Sequence, residues 1–564
     1  MKKGNKQAII MFIAIVAFIA IVAAALLTTM GRQGGMDADG KYKEGRSIEQ
    51  LLKKVDYTQT TPRKAQVDLS STDLADELPD ISKYPLTVTG NGQINIEIFS
   101  SPEKAGTGSD GWLNEMAEEF NQSGAEIGGA SVSVSVRDVS SGLGVDYITS
   151  GKYVPDAYTP SNEFWGEMLE ANGVAVELHT KRLLGNVAGI LMKKDVANTI
   201  KEKYGTADIK SIVEATAANE LAMGYTNPFS SSTGLNFLMC TLHAYDKNDA
   251  LSTTAIDGFT KFQSNVPFVS YTTLQMSEAA ENGSLDAFVL EYQIYYNSAE
   301  LKRDYEFIPF GIRHDNPLYA IGNLSAEKKQ ALDMFAAYCQ TESAQKKATK
   351  YGFNGMDEYT SDMPEFTGSQ LISAQGLYKE NKDIGKDIIA VFVADVSGSM
   401  DGEPIQQLKQ SLINSAQYIN NNNYIGLVSY SDTVNIELPI AQFDLNQRAY
   451  FQGAVEDLTA VGGTASYDAV TVGADMLIKA KAEHPDAKVM LFLLSDGRAN
   501  SGWDLDSIGY MLQQNNIPVY TISYGEDADT EELAALSSVN EASSINADSE
   551  DIVYKLKSLF NAQM

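Results

Sequence analysis

Cysteine is almost missing: Cys240 and Cys339 are the only two in 564 residues. One pairing is all they allow, so a fold stapled by several disulfides is excluded, and two buried thiols account for them as well as a bridge does. Histidine is nearly as scarce. His179, His243, His314 and His484 are far apart and match no zinc-ligand spacing. Positive charge is in deficit: 43 Lys and Arg face 74 Asp and Glu, a net charge of −31. That balance opposes generic binding to nucleic acid or to anionic lipid headgroups. Neither a P-loop, an HExxH nor a GxSxG pattern occurs, and there is no internal repeat. What is there reads as folded protein, with 44% hydrophobic and 21% charged residues.

The one apolar run of bilayer length is residues 8–27, preceded by Lys2, Lys3 and Lys6. Twenty residues in a helix span about 30 Å, the thickness of a bilayer's hydrocarbon core. The basic flank predicts a cytoplasmic N-terminus and an extracytoplasmic body. Residues 1–30 are therefore expected to be a signal anchor in the cell membrane. A cleaved signal peptide, which would leave the protein secreted, competes through the small residues Ala23, Ala24 and Ala25, but its apolar core is usually only ~7–15 residues. Residues 31–90, rich in Gly, Asp, Lys, Ser and Thr with scattered prolines, read as a linker.

Chemistry concentrates near the C-terminal end. Residues 387–394 are an apolar run suited to a fully buried parallel strand. Asp395, Ser397 and Ser399 follow in the turn beyond its carboxyl end, where open α/β sheets bind ligands. Gly462-Gly463-Thr464 precedes a helical stretch, and a second buried run, 488–494, ends in Ser495-Asp496-Gly497. Alone, the Asp-x-Ser-x-Ser turn would be an ordinary one with N-capping serines. With the distant Thr and Asp-Gly it resembles the metal-ion-dependent adhesion site of von Willebrand factor A-type domains, over residues 384–564. The resemblance implies a doubly wound, Rossmann-like α/β domain. It implies Mg²⁺, or Mn²⁺ or Ca²⁺, held by Asp395, Ser397, Ser399, Thr464 and Asp496. It also implies a protein partner that supplies an Asp or Glu carboxylate as the last ligand. Magnesium prefers oxygen donors, and neutral hydroxyls leave its charge partly uncompensated.

Residues 91–355 alternate strand and helix over about 265 residues, more than one compact sheet needs, so an α/β body of two lobes is expected. Ser100-Ser101 after the first strand, Ser161-Asn162, the stretch 227–234 (Asn-Pro-Phe-Ser-Ser-Ser-Thr-Gly) and Val289-Leu-Glu-Tyr292 resemble a type 2 extracytoplasmic solute-binding protein. That implies a small-molecule solute between the lobes, contacted by Ser100, Ser101, Ser161, Asn162, Ser230, Ser231, Ser232, Thr233 and Tyr292. Hydroxyls and free N–H groups at a helix N-terminus suit an anion or carboxylate, although an N-cap explains residues 230–233 equally. Glu163 and Glu291 near the inferred cleft would repel an oxyanion, which favours a zwitterion if a solute binds at all. Chain crossings between the lobes are expected near residues 187–190 and 318–321. Residues 356–383 read as a second linker.

The function expected is that of a membrane-anchored extracytoplasmic binding protein. It would engage an acidic partner through a metal, while the middle domain senses a solute or docks a partner. A capture subunit of a transport system is the alternative. A metal-dependent hydrolase fits less well, because such chemistry needs a positioned base or a second metal. Asp401 is the only further carboxylate in the first loop's turn, so no enzyme activity is expected.

Overall fold

The computed structural model describes residues 42, 45–67, 73–266, 268–270, 276, 285–382, 386–496, 499–524, 528–540, 542, 544–547 and 551–563. The expected anchor, residues 1–30, lies outside them. Among the described residues no helix is long and apolar enough to cross a membrane.

Ile388–Asp395 is buried along its whole length, as a strand covered on both faces must be. Its even-numbered residues, Ile388 to Ala394, pack with Leu408, Leu412 and Phe560. Ile389, Val391 and Val393 face Val470, Leu477 and Leu512 on the other side. The sheet around it runs Tyr57–Gln59, Val434–Gln442, Tyr424–Tyr430, Ile388–Asp395, Lys488–Ser495, Val519–Tyr524, Ser544–Ala547. Ile388–Asp395 is parallel to both its neighbours, and only Val434–Gln442 against Tyr424–Tyr430 is antiparallel.

Two further sheets make the two lobes. The first has Leu86–Val88, Ala130–Asp138, Ile94–Ser100, Ala157–Thr159, Leu318–Ile321 and Val176–Thr180 in that order, with Glu126–Ile127 paired to its second strand. The second runs Phe268–Ser270, Met223–Thr226, Ala287–Glu291, Asn186–Lys193, Tyr305–His314. Asn186–Lys193 belongs to the second lobe and Leu318–Ile321 to the first, so the chain crosses between lobes just before each, close to where expected. Cys240 and Cys339 are free buried thiols in separate cores, so no bridge joins them.

The two linkers need correction. Tyr57–Gln59 pairs in parallel with Val434 to Ile436 of the C-terminal sheet. Leu86–Val88 pairs with the first lobe. The described part of residues 31–90 therefore contributes an edge strand to each, and the two-lobed body is threaded between a peripheral strand of the C-terminal sheet and its remaining strands. Likewise Gly368–Asn381, within the second linker, is a helix that buries Leu371, Ala374 and Tyr378 in the core of the two-lobed body.

Candidate functional site

Two sites emerge, one at each sheet system's strand ends. At the carboxyl end of Ile388–Asp395 the Asp395 carboxylate is wholly buried. Its Oδ1 accepts from the Ser397 N–H at 2.8 Å. Its Oδ2 accepts from the Tyr430 hydroxyl at 2.9 Å and the Ser495 hydroxyl at 2.8 Å. The Ser397 and Ser399 hydroxyls are 3.0 Å apart, and Ser399 Oγ donates to Asp496 Oδ1 at 3.0 Å. The Thr464 loop is laced to this turn by Gly398 N to Gly462 O at 2.9 Å and Val461 N to Val396 O at 2.8 Å. Asn500 Oδ1 accepts from the Thr464 N–H at 2.9 Å. Gly462 has φ +82°, and a Cβ there would lie 2.4 Å from Asp432 Oδ2, so only glycine lets the loop close this tightly.

Burial pushes Asp395 above the ordinary carboxylate range, against the hydrogen bonds it accepts. Burial and then the Asp395 charge do the same to Asp496. Asp395, Ser397 and Thr464 are buried, while Ser399 is exposed and Asp496 half-buried, so the cluster opens to solvent on one side. Its five side chains offer oxygen alone: two carboxylates and three hydroxyls. That donor set fits a hard divalent cation. Among the described residues no group of three His, Cys, Asp or Glu could hold a metal by itself. Tyr430 and Asn500 carry no signal in the sequence. Ser495 adjoins Asp496 and could have been found.

The second site is a cavity of about 190 Å³ between the lobes. Ser101, Ser161, Ser230, Ser231, Ser232 and Thr233 line it, together with Glu103, Asp110, Ser140, Ser141 and Glu291. Three strand ends there lead through hydroxyl-bearing turns into helices, and at one of them a hydroxyl caps the helix: Ser231 Oγ accepts from Gly234 N at 3.2 Å, whereas the Ser101 and Ser140 side chains do not cap theirs. The lobes touch directly. Ser232 Oγ bonds Ser141 Oγ at 3.0 Å and accepts from Trp165 Nε1 at 2.8 Å. Gly142 N donates to Ser230 O at 3.3 Å, and a Cβ on Gly142 would lie 2.1 Å from Phe229 O.

Acidic side chains fill the rest of the wall. Glu103 Oε1 accepts from Ser101 Oγ at 2.6 Å and lies 3.3 Å from Lys104 Nζ. Lys104 is wholly buried and also donates to Ser101 Oγ. Asp110 accepts from Gln293 Nε2 at 2.8 Å. Glu291 Oε2 accepts from Asn186 Nδ2 at 2.7 Å, while its Oε1 is 2.8 Å from His314 Nδ1 and 3.3 Å from Thr233 Oγ1. The Asn162 and Asn236 amide nitrogens face His314 Nε2 at 3.1 and 3.2 Å. Their amide oxygens accept from Phe164 N and Ile312 N. That assigns Nε2 as acceptor and places the proton on Nδ1, where it is donated to Glu291. Burial raises Asp110, with Gln293 opposing and Glu103 and Glu291 adding to it.

Three expected contacts lie elsewhere. Ser100 is buried and turns its hydroxyl to the Ser101 carbonyl. Asn162 supports His314 from behind the wall. Tyr292 lines a separate hollow with Lys194 and Phe307. Glu163 likewise faces another hollow, beside Lys181 and Arg313, and not the cavity. Glu103, Asp110, Ser140 and Ser141 were not anticipated. Ser140-Ser141 repeats the strand-then-hydroxyl-pair pattern of Ser100-Ser101 and was legible.

Comparison with known proteins agrees with these two architectures. The von Willebrand factor type A domain matches residues 390–562 and the bacterial extracellular solute-binding protein family matches residues 105–354. FixH matches residues 2–94. Inter-alpha-trypsin inhibitor heavy chain H3 of Bos taurus is 29% identical over 151 residues, 24% of this chain and 16% of that protein. An uncharacterized protein of Synechocystis sp. is 27% identical over 148 residues, 26% of this chain and 34% of that one. The chain thus spans a minor part of the curated relatives it matches. Among solved structures, a von Willebrand factor type A protein from Catenulispora acidiphila aligns at 20% identity and TM-score 0.28, over 31% of this chain and 42% of that one. A periplasmic thiamin binding protein aligns at 11% identity and TM-score 0.38, over 52% and 98%. Residues 105–354 are accordingly a solute-binding domain of the bacterial extracellular family, and residues 390–562 a von Willebrand factor type A domain.

Proposed function

We propose that this is an extracytoplasmic binding protein, tethered by residues 1–30, whose von Willebrand factor type A domain captures an acidic side chain of a partner protein through a divalent cation. The observation that carries this is the oxygen cluster at the end of Ile388–Asp395, closed on the sheet side and open at Ser399 and Asp496. Asp395, Ser397, Ser399, Thr464 and Asp496 would hold Mg²⁺ or Mn²⁺, which when bound supplies a coordination position for one anionic oxygen from outside the chain. Tyr430, Ser495 and Asn500 orient those residues, as supporting shells do. The interlobe cavity supports a second role, reception of a small solute by residues 105–354. The proposal assigns binding and no catalytic step.

Titration calorimetry of the full chain in detergent with Mg²⁺ and Mn²⁺ tests it. Asp496→Ala and Ser399→Ala should abolish cation binding while leaving the melting temperature unchanged, since both side chains sit at the solvent-facing edge. Undiminished binding in both variants would place the cation elsewhere and end this reading.

A further inference from the structure

The interlobe cavity brings groups of both polarities together. Glu103, Asp110 and Glu291 line it, Asp138 acts electrostatically on the first two, and Glu291 reaches the Thr233 hydroxyl at 3.3 Å. The cation among them, Lys104, is already engaged by Glu103 and the Ser101 hydroxyl. The N-termini of helices Ser141–Ser150 and Ser232–Tyr245 also converge on it, joined by the bond between the Ser141 and Ser232 hydroxyls. Converging N-termini present N–H groups and positive potential.

One buried atom of the cavity lining lacks a partner, the Ser230 Oγ. Gln293, whose amide nitrogen binds Asp110, is wholly buried and lies outside the lining. Carboxylates lining a cavity call for a donor-bearing cation, and a buried hydroxyl beside helix N-termini calls for an acceptor. An oxyanion would satisfy Ser230 but would bring no counter-charge to the three carboxylates. A bare metal ion does not fit either, since among the described residues no three acidic or histidine side chains close on one point.

We propose that the cavity binds a small zwitterion of the α-amino-acid type, with its ammonium at Asp110 and Glu291 and its carboxylate at the Ser230 and Ser141 hydroxyls. This rests on reading residues 105–354 as a solute receptor. The volume suits a compact side chain, being roughly six times the ~30 Å³ share of one water.

Differential scanning fluorimetry and calorimetry on the full chain in detergent provide the test. The probes are glycine, alanine and serine, against methylammonium, acetate and sulfate. At least one amino acid should raise the melting temperature and bind ten times or more tighter than methylammonium or acetate. Asp110→Asn, which keeps an acceptor for Gln293, should weaken that binding at least tenfold, and Ser230→Ala severalfold. Should Asp110→Asn fail to fold, the Ser230→Ala effect and the probe ranking still decide. A shift with sulfate and none with the amino acids overturns the zwitterion but leaves a solute receptor. Methylammonium binding as tightly as the amino acids overturns the carboxylate half. Silence from every probe removes the solute-receptor reading itself.

Discussion

Asp138 is the residue at which the acidic wall costs the fold most visibly. It ends the strand Ala130–Asp138. Burial and Glu103, with Lys104 opposing and Asp110 adding, push its carboxyl up from 3.8 to about 6. A carboxyl whose folded value lies above its unfolded one binds more protons when folded. Stability therefore falls as pH rises through that window and stays low above it. The gap corresponds to on the order of 2–3 kcal/mol, less after allowance for its partial exposure. Asp138→Asn should abolish this fall, so that urea denaturation at pH 4 and pH 7.5 shows the variant more stable than the parent only at the higher pH. Equal stability of the two proteins at pH 7.5 would refute it. The same scale shows what a sequence carries of a site. Asp395, Ser397, Ser399 and Asp496 share one hydrogen-bonded chain because they lie on loops whose spacing is readable. Tyr430 reaches Asp395 only because its strand is the neighbour of Ile388–Asp395. Glu103 and Asp110 follow a strand end in short helical turns and look like solvated residues until the second lobe covers them.

At the scale of elements, the segment before the two-lobed body is the instructive one. Helix Ile48–Leu52 inserts Leu51, wholly buried, beside Val470 and Leu477. The Trp503 indole N–H donates to its carbonyl at 3.2 Å. Arg63 then pairs with Glu456 at 2.7 Å and Asp457 at 3.0 Å, a surface contact of little weight. Leu51→Ala should lower the stability of the C-terminal domain by roughly 2–4 kcal/mol, the usual loss for a buried leucine. Urea unfolding of the full chain measures it, and a midpoint unchanged within error would mean that the segment is not docked. Ile388–Asp395 was readable because both its faces are buried, which leaves a continuous apolar run. Tyr57–Gln59 was not. All three of its side chains are exposed, so its place is fixed by backbone pairing that leaves no periodicity. The helix Gly368–Asn381 was hidden by flanking polar residues, though its Leu371, Ala374 and Tyr378 lie on one helical face.

Across the whole molecule, the C-terminal helix Ile552–Gln563 joins the two systems. Its Phe560 packs edge-on against Phe392 and Phe492 at 5.6 Å each, in the core beneath the oxygen cluster. Its other side meets both lobes. The Tyr554 hydroxyl donates to Asp146 at 2.9 Å, on the helix whose N-terminus lines the cavity. Asn227, at the start of the loop that carries Ser230, donates to the Ser558 carbonyl at 3.3 Å. Lys557 pairs at 3.1 Å with Glu77, which is almost fully buried and also holds the Tyr418 hydroxyl. Burial raises Asp146 against the pull of Lys557 and Tyr554. Removing one partner of such a pair leaves a buried charge uncompensated, at a cost of about 3–5 kcal/mol. Lys557→Met combined with Tyr554→Phe should therefore strike the junction between the domains and spare both cores. Scanning calorimetry of the full chain should show a cooperative transition resolving into two, with the solute-binding domain and the von Willebrand factor type A domain melting separately. A single transition at the parental temperature would mean that the helix's contacts with Asp146, Asn227 and Glu77 do not couple them.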